Sequence, residues 1–100
     1  MKEMKAKKPD WMKNHSPKGE ILLDLRRFLR HGLEPLPEIE GILRELRPCQ
    51  VLHLTCAQDP VLLYGILAPL GFEHYTRRRG KVWDIYFRNC GWNPGERETS

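Results

Sequence analysis

The residues best equipped for chemistry are Cys56 and Asp59, in the run Thr55-Cys56-Ala57-Gln58-Asp59-Pro60. A thiol at the end of a strand and just before a helix start sits where α/β folds gather ligands, and a helix terminus there favours the thiolate. The same cysteine alternates with Leu52 and Leu54, the pattern of a small buried hydrophobe. Cys49, after Pro48, and Cys90, at the junction with the C-terminal segment, look incidental. Three widely spaced cysteines without a CxxC pair argue against a disulfide framework and against a structural zinc site. His31, Glu34, His53 and Cys56 could approach one sheet edge as metal ligands. No pair among them has the spacing of a metal site, so no metal or other cofactor is expected.

Arg77-Arg78-Arg79 with Lys81 makes a basic hairpin tip near Tyr75. Such a tip could meet an anionic partner or a phosphate backbone, and it also discourages edge-to-edge aggregation. The chain has no helix-turn-helix pattern, RNA-stacking motif or glycine-rich phosphate loop, and no Ser/His/Asp or paired-carboxylate arrangement. The chemistry on offer is that of a binder more than of an enzyme.

The elements that must position these residues are legible in the apolar pattern. Ile21-Leu22-Leu23-Asp24-Leu25 is an almost continuous apolar run and predicts a strand. A connection follows over 26–34, in which Arg27-Phe28-Leu29-Arg30 allows a helical turn. Pro35 suits the first position of a helix. From there Leu36, Ile39, Ile42, Leu43 and Leu46 recur at helical spacing, with acids early and arginines late, until Pro48 stops the helix.

Val51 to Cys56 alternates as a strand, with Leu52, Leu54 and Cys56 on one face and Val51, His53 and Thr55 on the other. Asp59-Pro60 predicts a second helix with Asp59 as its N-cap, carrying Leu62, Leu63, Ile66, Leu67 and Leu70. Pro69 shortens that helix to about Ala68, and Gly71 suits its left-handed cap. Residues 72–78 and 81–88 read as a hairpin around Arg79-Gly80.

The order is β-α-β-α-β-β. Right-handed crossovers then give an α/β (α+β) two-layer sandwich, a mixed four-stranded sheet with two helices on one face. The other sheet face is expected to be open, carrying Leu22, Val51, His53 and Tyr86, a partly apolar set fit for docking or self-association. Trp11-Met12 folding back from the N-terminus is another candidate to cover it.

The net charge of +4 looks like a nucleic-acid signal until it is located. Residues 1–18 hold six lysines against Glu3 and Asp10, and the other 82 residues carry 11 basic and 11 acidic groups. The expected domain is neutral and the arm is basic, so nucleic-acid binding is an unlikely role and a solvating arm the plainer one. With 40% hydrophobic residues, the chain predicts one modest core at residues 19–89, flanked by an arm at 1–18 and a tail at 90–100. No run approaches a membrane span and no secretory signal is visible, which together with the cysteine usage points to the cytoplasm.

Gly32-Leu33-Glu34-Pro35-Leu36-Pro37 at the start of the first helix resembles the Cys-Pro-x-Pro opening of the TusA/SirA sulfur carriers, with Glu34 in place of the reactive cysteine. The closer similarity is to a sister family of unknown function, found alone or beside hemerythrin-like domains. Its pattern is matched by Leu23-Asp24-Leu25-Arg26, Gly32-Leu33-Glu34-Pro35, Asp59-Pro60-Val61-Leu62-Leu63-Tyr64, Gly71-Phe72 and Trp83, with a Pro9-Asp10-Trp11 lead-in. Many members carry a His-containing turn before Asp-Pro, where this chain has Cys56-Ala57-Gln58.

The resemblance implies a small binding or regulatory module that performs no covalent sulfur chemistry at the usual position, because a carboxylate cannot carry a persulfide. Its working edge would be Arg26, His31, Glu34, Cys56 and Asp59, and its partner an unknown protein or small ligand, with no membrane role. In this reading Glu34→Ala weakens binding with little loss of fold. Two alternatives stay open: sulfur or redox transfer relocated to Cys56, and nucleic-acid binding through the arm and Arg77–Arg79.

Overall fold

A computed structural model of the protein describes residues 8–13, 19–30, 32 and 35–93. His31 and Glu34 of the expected working edge lie outside the described residues. In chain order the elements are α1 (Asp10–Lys13), β1 (Ile21–Asp24), α2 (Arg26–Arg30), α3 (Leu36–Glu45), β2 (Leu52–Cys56), α4 (Val61–Leu67), β3 (Glu73–Arg79) and β4 (Val82–Arg88).

The sheet order is β1-β2-β4-β3. β1 and β2 run parallel, with Leu23 opposite Leu54. β4 lies antiparallel to both β2 and β3, pairing Leu54 with Ile85 and Thr76 with Ile85 from either side. The parallel pair needs a crossover, which α2 and α3 supply, and the hairpin then inserts its second strand beside β2. The result is an α+β sandwich with a mixed four-stranded open sheet, the architecture the apolar pattern predicts.

Alternation decides which strand residues meet the helices. Leu52, Leu54 and Cys56 of β2 and Ile85 and Phe87 of β4 share one core with Ile39 and Leu43 of α3 and Leu63 and Leu67 of α4. Leu52, Leu54 and Ile85 are wholly buried, and each side chain of this size contributes roughly 1.5–3 kcal/mol on burial. α4 ends at Leu67 and tightens into a single 3₁₀ turn at Ala68–Leu70, as a proline at position 69 requires. Gly71 follows with φ +97°, and a Cβ there would stand 3.2 Å from the Asn89 amide nitrogen. Glycine serves both the left-handed cap and the close approach.

Three local expectations are corrected. Asp59 does not cap α4: Pro60 holds the N-cap position without a side-chain cap, and the Asp59 carboxylate instead accepts a 2.6 Å hydrogen bond from the Tyr64 hydroxyl. A neighbouring aromatic hydroxyl outcompetes the helix amides for that carboxylate. The packed core also runs past residue 89, where the tail was expected to begin. Trp92 is buried, packs on Phe72 with ring centroids 5.0 Å apart, and donates its indole N–H to the Leu43 carbonyl at 2.7 Å. Finally, the basic N-terminal segment is not all solvated arm. Trp11 of α1 lies over the Arg88 guanidinium at 5.0 Å, a contact in the direction of the fold-back offered as one candidate cover for the open sheet face.

Candidate functional site

An apolar groove opens at the C-terminal end of the parallel strands, between the starts of α3 and α4. Leu25 and Cys56 end the two strands, Leu36 and Ile39 form one wall, and Leu63 and Ile66 form the other, enclosing about 500 Å³. Val61, Leu62 and Ile66 stand exposed on α4 at its lip, Leu62 at 84%. A second recess of about 360 Å³ continues the groove between the helices, sharing Leu36, Ile39, Leu63 and Ile66 and reaching Leu43 and Trp92. Helical spacing explains the placement. Positions 63 and 67 point to the sheet, which turns 62 and 66 outward along the same helix.

Cys56 lies within this groove but is itself buried, 4% exposed. Burial pushes its thiol up to about 12, and the negative charges of Asp24, Asp59 and Asp84 add to the rise. Sulfur transfer needs a thiolate, and this environment favours the protonated thiol. Beside it, the Tyr64 hydroxyl donates to Asp59 and lies 2.5 Å from Thr76 Oγ1, while its ring stacks on His74 at 4.2 Å. Burial raises the Tyr64 phenol and the Asp59 hydrogen bond raises it further. Burial lowers the His74 imidazole, against the opposing pull of Asp59. This cluster braces β3 against α4.

The other sheet face is not the bare apolar surface the sequence predicts. Of the expected docking set, Leu22 is 68% exposed, but Val51 and Tyr86 are buried. His53 stacks on Tyr86 at 4.3 Å, and its two ring nitrogens lie 3.0 Å from Glu20 Oε1 and 3.0 Å from Asp84 Oδ1. The Glu20 side chain is 6% exposed and that of Asp84 1%. Arg79 forks onto Asp84 through Nε and Nη2. Burial alone would raise the Asp84 carboxyl, but the Arg79 and His53 hydrogen bonds outweigh it and hold the group below the ordinary carboxylate range. The face is therefore crossed by a chain of side-chain hydrogen bonds from Glu20, just before β1, through β2 and β4 to β3. Neither Glu20 nor Asp84 was singled out in the sequence. Asp84 reads there as one polar position in an alternating strand, and its partners become visible only once the strands are in register.

Of the expected edge of Arg26, His31, Glu34, Cys56 and Asp59, the described members are Arg26, Cys56 and Asp59. Arg26 closes a bidentate pair with Asp24, at 2.9 Å from Nε and 2.7 Å from Nη2. Cys56 and Asp59 line the groove. His53 and Cys56 also project from opposite faces of β2, so the sheet separates two of the residues considered as metal ligands. Among the described residues no group of three His, Cys, Asp or Glu side chains could hold a metal ion, and no helix is long and apolar enough to cross a membrane. The arginines of the hairpin tip are internally engaged: Arg77 reaches the Tyr86 hydroxyl at 3.5 Å, Arg78 lies over Trp83 at 5.3 Å, and Arg79 holds Asp84.

Cys49 and Cys90 correct the reading of the cysteines most directly, because they form a disulfide. The register explains it. Leu52 pairs with Phe87, so the antiparallel β2–β4 register, extended three residues beyond that pair, sets Cys49 opposite Cys90. Spacing along the chain, 41 residues, carries no hint of this. The argument for a reducing compartment from cysteine usage therefore falls. No protein-family model, curated protein or solved structure matches the chain.

Proposed function

We propose that the protein is a small TusA/SirA-like binding module that holds an apolar group of a partner protein or small ligand in the α3–α4 groove and performs no covalent sulfur chemistry. The observation that carries this reading is the groove itself: apolar walls, an exposed lip at Val61 and Leu62, and a thiol that is buried. Its position at the C-terminal ends of parallel strands is where open α/β sheets bind ligands. The element order and the Gly32-to-Pro37 motif support the TusA/SirA resemblance, with Pro35 immediately before α3. Relocated sulfur transfer at Cys56 and nucleic-acid binding at Arg77–Arg79 are the weaker readings, since one needs an accessible thiolate and the other rests on a charged hairpin tip with no nucleic-acid motif beside it.

The test is a titration of the oxidised protein with an apolar probe, anilinonaphthalene sulfonate, followed by amide chemical shifts. Shifts are expected at Ile39, Leu63 and Ile66, and Leu62→Glu is expected to weaken binding by about tenfold, ~1.4 kcal/mol, without lowering the melting temperature. Equal affinity in Leu62→Glu, or shifts confined to the opposite sheet face, would remove the groove from the proposal.

A further inference from the structure

The Cys49–Cys90 disulfide sits where it can govern the groove, although neither cysteine touches it. Both residues are exposed, which leaves the bond open to attack by a thiolate. Cys49 has φ +67°, the left-handed conformation that side-chain-bearing residues rarely adopt. Its position is held by the disulfide and by a hydrogen bond from its N–H to the Asn89 carbonyl at 3.2 Å. That same carbonyl accepts the Trp92 N–H at 3.2 Å, and the Asn89 side chain ties the turn inward, donating to the Leu70 carbonyl and accepting from Gly91 N–H, each at 3.0 Å. One short turn therefore joins the disulfide to Trp92. Trp92 in turn lines the inner recess of the groove and bonds α3 at Leu43.

We propose that Cys49–Cys90 is a redox latch on the groove: its reduction releases the Asn89–Trp92 turn and frees Trp92 to leave the recess between α3 and α4. The reductant is a dithiol. One of its thiolates attacks a sulfur of the pair, the S–S bond breaks, and the departing cysteine sulfur takes up a proton. The second thiol of the reductant then displaces the other cysteine from the mixed disulfide. Overall, Cys49 and Cys90 gain two electrons and two protons, and the reductant leaves as its own disulfide. The rest of the core does not depend on this bond, because β2, β4 and the α3 and α4 side chains pack without it. The latch thus acts locally. Its effect on ligand binding rests on the groove being the binding site, whereas its existence does not.

Hydrogen exchange of the full chain, with peptide mapping of the cysteines, tests it. In the oxidised protein mapping is expected to find Cys49 joined to Cys90. On reduction the Trp92 indole N–H and the Gly91 and Trp92 amides are expected to exchange about tenfold faster while Leu54 in β2 is unchanged, the signature of local opening. Cys90→Ser should sit permanently at the reduced value, and an oxidant should restore slow exchange in the wild-type chain alone. Cysteines that cannot be joined under oxidising conditions, equal Trp92 exchange in the two states, or Leu54 accelerating together with Trp92 would each overturn the latch. Anilinonaphthalene sulfonate affinity should change on reduction in the wild-type chain and not in Cys90→Ser. An unchanged affinity alongside the expected exchange would sever the latch from the groove. Absence of probe binding in both states would defeat the groove reading and leave the latch to be judged by exchange alone.

Discussion

At the scale of single residues, the fate of the two functional-looking side chains, Cys56 and His53, is set by which way each leaves β2. Cys56 points among leucines and loses its acidity; His53 points the other way into a line of carboxylates and a stacked tyrosine. Because the native Cys56 thiol is raised to about 12, the folded state holds a proton that an unfolded cysteine releases from pH ~8.5 upward. Stability should fall as pH rises from that value, and Cys56→Ala should flatten the fall in denaturant titrations at pH 8 and 10. Asp84 behaves in the opposite sense. Its native carboxyl is held low, so its stabilisation is present above the ordinary carboxylate value of ~3.9 and is lost as pH drops through the lower native one. Asp84→Asn should cost about 1.5–3 kcal/mol at pH 7, since it removes charged hydrogen bonds to Arg79 and His53, and the cost should shrink in acid. A constant cost across pH 2–7 would show that the pairing does not operate.

At the scale of elements, the turn from Asn89 to Trp92 does more than its composition promises. Trp92→Ala should destabilise by about 3–5 kcal/mol, the ordinary loss for a buried tryptophan, whereas deletion of an exposed tail residue would cost almost nothing. Gly71→Ala should cost more than about 1 kcal/mol, because the left-handed backbone and the nearby Asn89 amide both oppose a methyl group. Thermal melts of the two variants check both figures. These cases mark the limit of what the sequence discloses. The strands and the two main helices were legible because their apolar residues repeat at two or at three-to-four positions, and Pro48, Pro69 and Gly71 mark their ends. Trp92 was not, since one aromatic among Gly, Asn and Pro has no period. The cross-link between Cys49 and Cys90 and the His53–Asp84 pair were not either, because both depend on the β2–β4 register, which a linear pattern does not specify.

At the scale of the whole molecule, the two sheet faces divide the work. One is packed by α3 and α4, and the apolar surface exposed beside them belongs to the groove. The other carries the Glu20–His53–Asp84–Arg79 hydrogen bonds and the Trp11–Arg88 contact, and of the expected docking set Leu22 is the strongly exposed member. The general architecture was predictable because crossover handedness leaves few arrangements for this element order. The groove was less legible, since its lip at Val61, Leu62 and Ile66 shows only once α4 is set against α3 and the sheet. On the proposed function, binding falls to the α3–α4 groove, in which Cys56 is buried.

The most direct test is mass spectrometry of the native protein after polysulfide treatment, with each adduct mapped to its cysteine. Cys56 is expected to remain unmodified until the protein is denatured, while the exposed Cys49 and Cys90 react or exchange. A persulfide formed on Cys56 in the native state would contradict a binding module with a silent thiol and restore sulfur transfer as the chemistry of the groove.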